Sequence, residues 1–600
     1  MAEQSLAITT SFAQQSLWLQ HQIDPGRSAY HVVAGIRLRG PLDVPALTAA
    51  LNAVAGRHET LRTVFRLDDG VPVQVIGPVA PLAVPVVDVA AEEVDALVQR
   101  EVETPFDLAA GPLVRLRLLR LAADHHVAVL VMHHIITDGE SSAILLRELL
   151  LHYAAEVAGE PLELPELPIQ YADFAVWQRG LLSGEHLDRL TAYWSGRLAG
   201  AAPLALPGAP SGAERGPSAG ALHAFTVPEA LRGRLESAAR EGDATLFMIL
   251  LAGFETLLGR WCGQDDITVL SPVSGRSRPE LEEVIGYFVN PLLLRTDLSG
   301  DPDARAVLAR VRETCLGAYD HEELPYEQAA NLLGGPGAER GRTAGGQVMM
   351  VLQSAREESW SPAGLEWEQI PVGIGTAKAP LVLDLRPGVD GPHGVLHGVL
   401  EYDSGLFDAS TVAALAEDLV AVWEWLADGS ALPLSAVPGL KGPAERAAAP
   451  AAPAVPVAPA APQATGPAAY VAPRTPLEEE VALIWAELLG RERVGVHDNF
   501  FDLGGQSLAA VRLTARLREE FGIGLAVRDL YANFTVEEVA WRLLEALAAE
   551  EAEQAEEAEQ AEPAEHAAEA EAGTGAGAGA EVAEAVAGTE ARAVTGPTAV

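Results

Sequence analysis

Between Lys441 and Pro473 the chain reads KGPAERAAAPAAPAVPVAPAAPQATGPAAYVAP, and no other segment constrains the fold as strongly. Each Pro removes a backbone donor and fixes φ, so alternation with Ala favours an extended polyproline-type chain over helix or sheet. The stretch predicts a semi-rigid tether, 441–473, between a large body and a small unit at 474–548. Beyond it, residues 549–600 turn to Glu, Ala and Gly. From Ala548 to Val600 there are 13 Glu, one Arg and no aromatic residue, so the tail has nothing to bury and is expected to be disordered.

Charge narrows the function classes. Lys plus Arg total 41 and Asp plus Glu total 84, so 41 − 84 = −43. That sign argues against a nucleic-acid partner, which needs a Lys/Arg surplus, and against an anionic membrane surface. Two cysteines, Cys262 and Cys315, exclude a disulfide framework and a multi-thiolate metal site. The opening MAEQSLAITTSFAQQ lacks the basic start and apolar run of a secretory signal, and no apolar stretch approaches the ~18 residues of a membrane span. The expectation is a cytoplasmic protein.

Within the body, strand and helix patterns interleave. Val114, Leu116 and Leu118 alternate with Arg115 and Arg117, as in a half-buried strand, whereas Val127–Met132 is apolar throughout, as in a strand covered on both faces. Ser141–Tyr153 carries Ile144, Leu145, Leu149 and Tyr153 at helical spacing. Pro203–Gly220 and Gly334–Gly346, rich in Gly, Pro and Ala, read as loops, the first near a division of the body into two lobes, 1–180 and 181–440.

Directly after the buried strand comes Met132-His133-His134-Ile135-Ile136-Thr137-Asp138-Gly139. A strand that ends in a sharp turn into a helix holds its last side chains rigidly at a cleft. Adjacent imidazoles point to opposite sides, so one faces a cavity and the other packs inside. A neutral imidazole suits proton removal from an amine or hydroxyl near pH 7. Asp138 is expected close to the pair, and Gly139 to permit a tight turn or a close approach to a ligand. Residue chemistry alone leaves a catalytic pair and a structural pair both open, since His125-His126 lies nearby with no such context.

The segment resembles the active-site motif of the condensation domains of nonribosomal peptide synthetases, and the resemblance runs across nearly the whole body. Ser11–Leu19 (SFAQQSLWL), Arg57–Phe65 (RHETLRTVF), Tyr171–Trp177 (YADFAVW), Ile285–Arg295 (IGYFVNPLLLR), His321–Glu327 (HEELPYE) and Gln347–Gln353 (QVMMVLQ) follow in the family's order. The first two look most like the subtype that joins two L-configured units. The resemblance implies an α/β, two-lobed, chloramphenicol-acetyltransferase-like pseudo-dimer with the reaction at the lobe junction. It implies His134 as the active-site residue, a general base or a group that positions the amine. Asp138 would be structural and pair with Arg276 of Pro272-Val273-Ser274-Gly275-Arg276, while His133 and Gly139 shape the site. Glu140 stands where Trp is common, Pro291 where Thr is usual, and Ala379-Pro380 and Gly345-Gly346 where bulkier residues are found; these departures bear on the acceptor side rather than on His134.

In the small unit, Thr475-Pro476-Leu477-Glu478 is a helix start, with Leu477, Val481, Ile484 and Leu488 as one apolar stripe and Gly490 as its end. Thr535-Val536-Glu537-Glu538 repeats the signature, so a bundle of three to four helices is expected. Between them, Gly504-Gly505-Gln506-Ser507 leaves a serine at a helix start, where N–H groups and the dipole favour a phosphodiester. A plain N-cap is the alternative. A hydrolase nucleophile is not supported, because the G-x-S-x-G elbow is missing. The unit is similar to acyl and peptidyl carrier domains, which implies 4′-phosphopantetheine on Ser507.

Together these resemblances imply a condensation–carrier didomain that forms an amide or ester bond between an upstream carrier's acyl thioester and an acceptor on Ser507. The runner-up is an acyltransferase with a free amine or alcohol as acceptor, and a third class is a recruitment scaffold. The 33 residues between body and small unit cannot hold an adenylation domain. The expected partners are therefore a donor carrier and an adenylation enzyme acting in trans, a phosphopantetheinyl transferase, and a downstream synthetase or release enzyme.

Overall fold

The computed structural model describes residues 6–26, 28–206, 219–333, 347–353, 364–370, 372–373, 375–388, 394–437, 470–498, 500, 503, 513–514, 516–518, 520–522 and 535–547. Most of the Ala/Pro tether, the Gly334–Gly346 loop, most of Pro203–Gly220 and the acidic tail lie outside them.

The body is an α/β structure with two cores. The first is built on a sheet ordered Glu366–Ile370, His31–Arg39, His125–His133, Val114–Ala122, Val86–Asp88. His125–His133 occupies its centre, and Val127–Met132 is buried on both faces, which is why that strand is apolar at every position. The helices Val44–Arg57 and Gly139–Ala158 pack together against this core. The half-buried strand around Val114 extends to Ala122, and the helix read from Ser141 to Tyr153 begins two residues earlier and ends at Ala158, where Gly159 takes the left-handed conformation that closes it.

The second core begins with Leu182, Leu190, Trp194 and Leu198 of the segment containing the helix Gly184–Leu198. Its sheet runs Asn290–Asp297, Asp266–Val273, Val348–Leu352, Leu381–Pro387, Leu396–Asp403, Gly220–Val227. The helices Leu246–Cys262 and Ala409–Ala427 pack on it, and Trp423 Nε1 donates to the Leu250 carbonyl at 3.1 Å. A smaller sheet, Leu6–Thr9, Val71–Ile76 and Thr63–Asp68, adjoins the first core.

One strand belongs to the second half of the chain and to the first half's sheet. Glu366–Ile370 pairs antiparallel with Gly35–Arg39, and the approach is close: a Cβ on Gly35 would lie 2.6 Å from the Val372 side chain. The pairing buries little, so its alternating pattern is weak in sequence.

In the small unit the helix Pro476–Leu489 opens on a capping box at Thr475 and ends at Gly490 with positive φ. Its stripe centres on Trp485, fully buried edge-on against Phe500 with ring centroids 4.8 Å apart. Thr535 caps the helix at 536–547 through Glu538 N. Among the described residues no single helix is long and apolar enough to cross a membrane.

Candidate functional site

The chain leaves the buried strand at His133, makes one 3-10 turn through His134–Ile136, and enters the helix Gly139–Ala158 through Asp138. The two imidazoles separate as their alternation requires. His133 is 1% exposed, accepts Ile135 N–H at Nδ1 (3.1 Å), and packs among His21, His31 and Phe106. Burial and the neighbouring imidazoles hold its pKa well below the ordinary value. It is a packed, neutral ring.

His134 is half-buried at the junction. Its Nδ1 lies 2.7 Å from the Thr137 carbonyl, an atom that only accepts, so Nδ1 carries the proton and Nε2 keeps its lone pair. The ring meets Tyr287 edge-on at 4.8 Å. Burial, and then the charge of Lys378, lower its pKa, which keeps the imidazole neutral and basic. The second half of the chain thus supplies two groups, Tyr287 and Lys378, to a histidine of the first.

Asp138 does not orient the imidazole. Its Oδ1 accepts Ser141 N at 2.8 Å as the N-cap, and its Oδ2 accepts Arg276 Nη1 and Phe288 N, each at 3.0 Å. The Asp138 side chain is 0% exposed and that of Arg276 3%. Arg276 Nη2 also donates to Ser141 Oγ (2.7 Å) and the Val284 carbonyl (3.1 Å), and the guanidinium lies 4.2 Å over the Phe288 ring. Ser141 Oγ donates to Gly286 O at 2.7 Å and accepts Gly286 N at 3.0 Å. The carboxylate, the guanidinium and one hydroxyl therefore fix the two halves against each other a few residues from His134.

Packing requires glycine at Gly286 but not at Gly139. A Cβ on Gly286 would lie 1.9 Å from the Tyr171 ring, whose hydroxyl donates to Tyr287 O at 2.6 Å. Gly139, expected to serve a tight turn, has no positive φ and is the first helical residue; a Cβ there would meet nothing within 4 Å. The turn is made by Asp138 in extended geometry. Glu140, half-exposed, lies 3.6 Å from Arg276 Nη1.

Ser141, Gly286, Tyr171, Tyr287 and Lys378 carry this geometry without having been singled out in the sequence. Tyr171, Gly286 and Tyr287 lie inside quoted motifs, the only available signal; Ser141 reads as an ordinary helical serine, and Lys378 has no periodic context.

In the small unit, Ser507 and Gly504–Gln506 lie outside the described residues. Arg491 Nη2 donates to the Leu503 carbonyl at 2.8 Å, which holds the chain at Leu503, four residues before Ser507 in sequence.

Residues 4–441 match the family described as Condensation domain, and residues 479–543 match Phosphopantetheine attachment site, which implies a covalently attached 4′-phosphopantetheine. A linear gramicidin synthase of Brevibacillus parabrevis is 42% identical over 422 residues, 68% of this chain and 8% of that protein. Chondramide synthase cmdD of Chondromyces crocatus is 38% identical over 419 residues, 69% of this chain and 11% of that protein. The chain thus spans about a tenth of the length of these relatives. Among solved structures, the X-domain from teicoplanin biosynthesis superposes with a TM-score of 0.65 at 29% identity, covering 73% of this chain and 98% of that one. SgcC5 protein from Streptomyces globisporus gives 0.58 at 29% identity, covering 71% and 100%. With the lobe junction, its neutral histidine and these matches together, the chain belongs to the condensation-domain family of nonribosomal peptide synthetases and carries a phosphopantetheine-attachment domain behind it.

Proposed function

We propose that the body, 1–440, joins an acyl thioester presented by an upstream carrier to an acceptor nucleophile, and that the acceptor is held on Ser507 of the 474–548 unit. The observation that carries this reading is the His134 tautomer: Nδ1–H is committed to Thr137, so Nε2 offers a lone pair at the junction. His134 takes the proton from the nucleophile, or holds it in line, as the nucleophile adds to the thioester carbonyl and the thiol leaves. Conversion of a thioester to an amide is downhill, so the step needs no further activation. His133 and the Asp138–Arg276 pair act through shape: the first packs behind the turn, the second locks the lobes in register. Gly139 leaves room for the entering group. When bound on Ser507, 4′-phosphopantetheine supplies a long thiol-ended arm, and the 441–473 tether raises the effective concentration of that arm at the junction.

A lobe boundary near 180 is supported by Leu182, which packs in the second core. Loading by a separate adenylation enzyme, phosphopantetheinylation by a transferase, donor supply by a carrier in trans and removal by a downstream synthetase or release enzyme complete the proposed cycle. A free acceptor is the second reading, and SgcC5, whose structure contains (R)-(-)-1-(2-naphthyl)-1,2-ethanediol, favours it.

The test is intact mass of the full chain after phosphopantetheinylation, aminoacylation and addition of a donor acyl carrier. A mass gain retained on the chain supports the first reading; released product supports the second. Ser507→Ala should abolish the pantetheine mass gain. Unchanged turnover in His134→Ala would refute both.

A further inference from the structure

Four side chains of the first half grip successive backbone groups of one short segment of the second, residues 285–288. Ser141 Oγ serves Gly286 at both its N–H and its carbonyl, Tyr171 donates to the Tyr287 carbonyl, and Asp138 accepts Phe288 N–H. The fourth is His58, whose Nδ1 accepts Ile285 N–H at 3.4 Å. The Ile285 side chain is buried in the first core, and the Tyr287 ring packs on that core as well. Tyr287 is also the ring that meets His134 at 4.8 Å. The bond from His58 thus lies two residues from the group on which His134 rests.

The surroundings of His58 hold its ring in one orientation. It caps the C-terminus of the helix Val44–Arg57, with its own N–H on the Val54 carbonyl at 3.0 Å. Gln170 clamps the residues on both sides of it: Nε2 donates to the Arg57 carbonyl at 3.1 Å, and Oε1 accepts Glu59 N–H at 3.1 Å. The imidazole is buried, and its Nε2 lies 2.9 Å from Glu148 Oε2 in the helix Gly139–Ala158. A backbone N–H only donates, so Nδ1 is the accepting nitrogen, and Nε2 carries the proton that Glu148 receives. Glu148 has a second partner, Arg57 Nε at 3.2 Å, so its charge is compensated even without His58. Ile285 N–H, by contrast, has no other acceptor among the described residues. The group without a substitute is therefore the acceptor at Nδ1.

We infer that His58 is a positioning residue of the condensation site: its Nδ1 fixes Ile285 and thereby sets the Tyr287 ring against His134. This rests on the function proposed above and deepens it, since the placement matters to the reaction only where His134 handles the nucleophile. His58 acts through residues 285–288 and not on the reacting atoms. Rates at a site of this kind depend steeply on placement, so a small displacement of the ring beside His134 is costly. The competing role for His58 is to neutralise Glu148, and the two roles call on different nitrogens.

Two amide substitutions separate those nitrogens in the full chain. His58→Asn puts an oxygen where Nδ1 stands and gives up the bond to Glu148; His58→Gln puts an NH₂ where Nε2 stands and gives up the acceptor for Ile285. The first readout is the His134 Cε1–H resonance in chain isotope-labelled at histidine, assigned by its loss in His134→Gln. The Tyr287 ring shifts this resonance, and Tyr287→Leu gives its value without the ring. His58→Asn should keep the parent value, whereas His58→Gln should move it toward that of Tyr287→Leu. The second readout is the rate of mass gain in the condensation assay proposed above: rescued in His58→Asn, and about tenfold or more slower in His58→Gln. The opposite order assigns His58 to Glu148 and overturns the inference, as does equal behaviour of the two variants. A resonance that moves without a change in rate overturns it too, and leaves the condensation reading standing. If the parent gains no mass, or His134→Ala gains it as fast, the condensation reading falls and takes the inference with it. Should a variant fail to fold, amide exchange in the parent decides: a protected Ile285 N–H supports the inference, and exchange at the rate of an open loop overturns it.

Discussion

Removing the Asp138 carboxylate is the most demanding perturbation of this site, because three donors converge on two oxygens. In Asp138→Ala the helix loses its N-cap bond from Ser141 N, Phe288 N–H is stranded in the interior, and Arg276 keeps its charge without its nearest counter-ion. A lost cap costs ~1 kcal/mol, a buried unpaired N–H ~1–3, and a buried pair broken on one side ~3–5. These terms share one carboxylate and do not add, so ~4–5 kcal/mol is the expected loss, at the top of the range for single substitutions. Asp138→Asn should give little relief, since one amide oxygen cannot serve donors on two sides and its NH₂ would face another donor. Arg276→Met should cost less, ~2–3 kcal/mol, because the carboxylate retains two N–H partners. In the double variant the guanidinium is no longer stranded, so the two losses should fall short of additivity by ~2 kcal/mol. Urea unfolding of the full chain, followed by tryptophan fluorescence and by circular dichroism, measures all four. A loss below ~1 kcal/mol in Asp138→Ala, or strict additivity in the cycle, would show that the pair does not hold the lobes.

Three further expectations follow from the same geometry. Lys378 lowers the His134 pKa, so Lys378→Met should raise it; because the neutral ring is the active form, the acid limb of the kcat/KM profile should move to higher pH, and an unmoved limb refutes the assignment. Gly286→Ala drives a Cβ into the Tyr171 ring and should cost ~2 kcal/mol or more in unfolding experiments, whereas Gly139→Ala should leave the melting temperature unchanged and slow condensation. His21, His31 and His133 are all held neutral by burial with folded pKa values below their unfolded ones; their stabilisation is complete above pH ~6.5 and is lost as pH falls toward the depressed values. Urea midpoints measured between pH 7 and 5 should therefore fall, and less steeply in His133→Asn.

The legible part of this molecule was the part written locally. Val127–Met132, the Thr475 capping box and the helix after Ser141 follow from period and end signals that neighbouring residues carry themselves. His134 stood out because a buried strand ends there, and Arg276 only through family resemblance, since nothing near it in sequence points to Asp138, 138 residues away. The reason Gly286 must be glycine is the ring of Tyr171, and no local pattern contains that ring. Of the two uses expected of Gly139, the tight turn is not one: a glycine after Asp suggests a special turn, but the turn belongs to Asp138 and Gly139 is the first helical residue. Glu366–Ile370 was illegible for a third reason. EWEQI alternates weakly, and its partner strand begins more than 300 residues earlier.

That borrowed strand has a consequence for how the body can be divided. Genetic separation of the two lobes near residue 180 would strip the Gly35–Arg39 ladder of its cover, leaving donors and acceptors of a central-sheet neighbour open along one side. Such an uncapped margin is a template for self-association. The halves are accordingly expected to be soluble only when co-produced, with the later fragment lending its stitch to the earlier one.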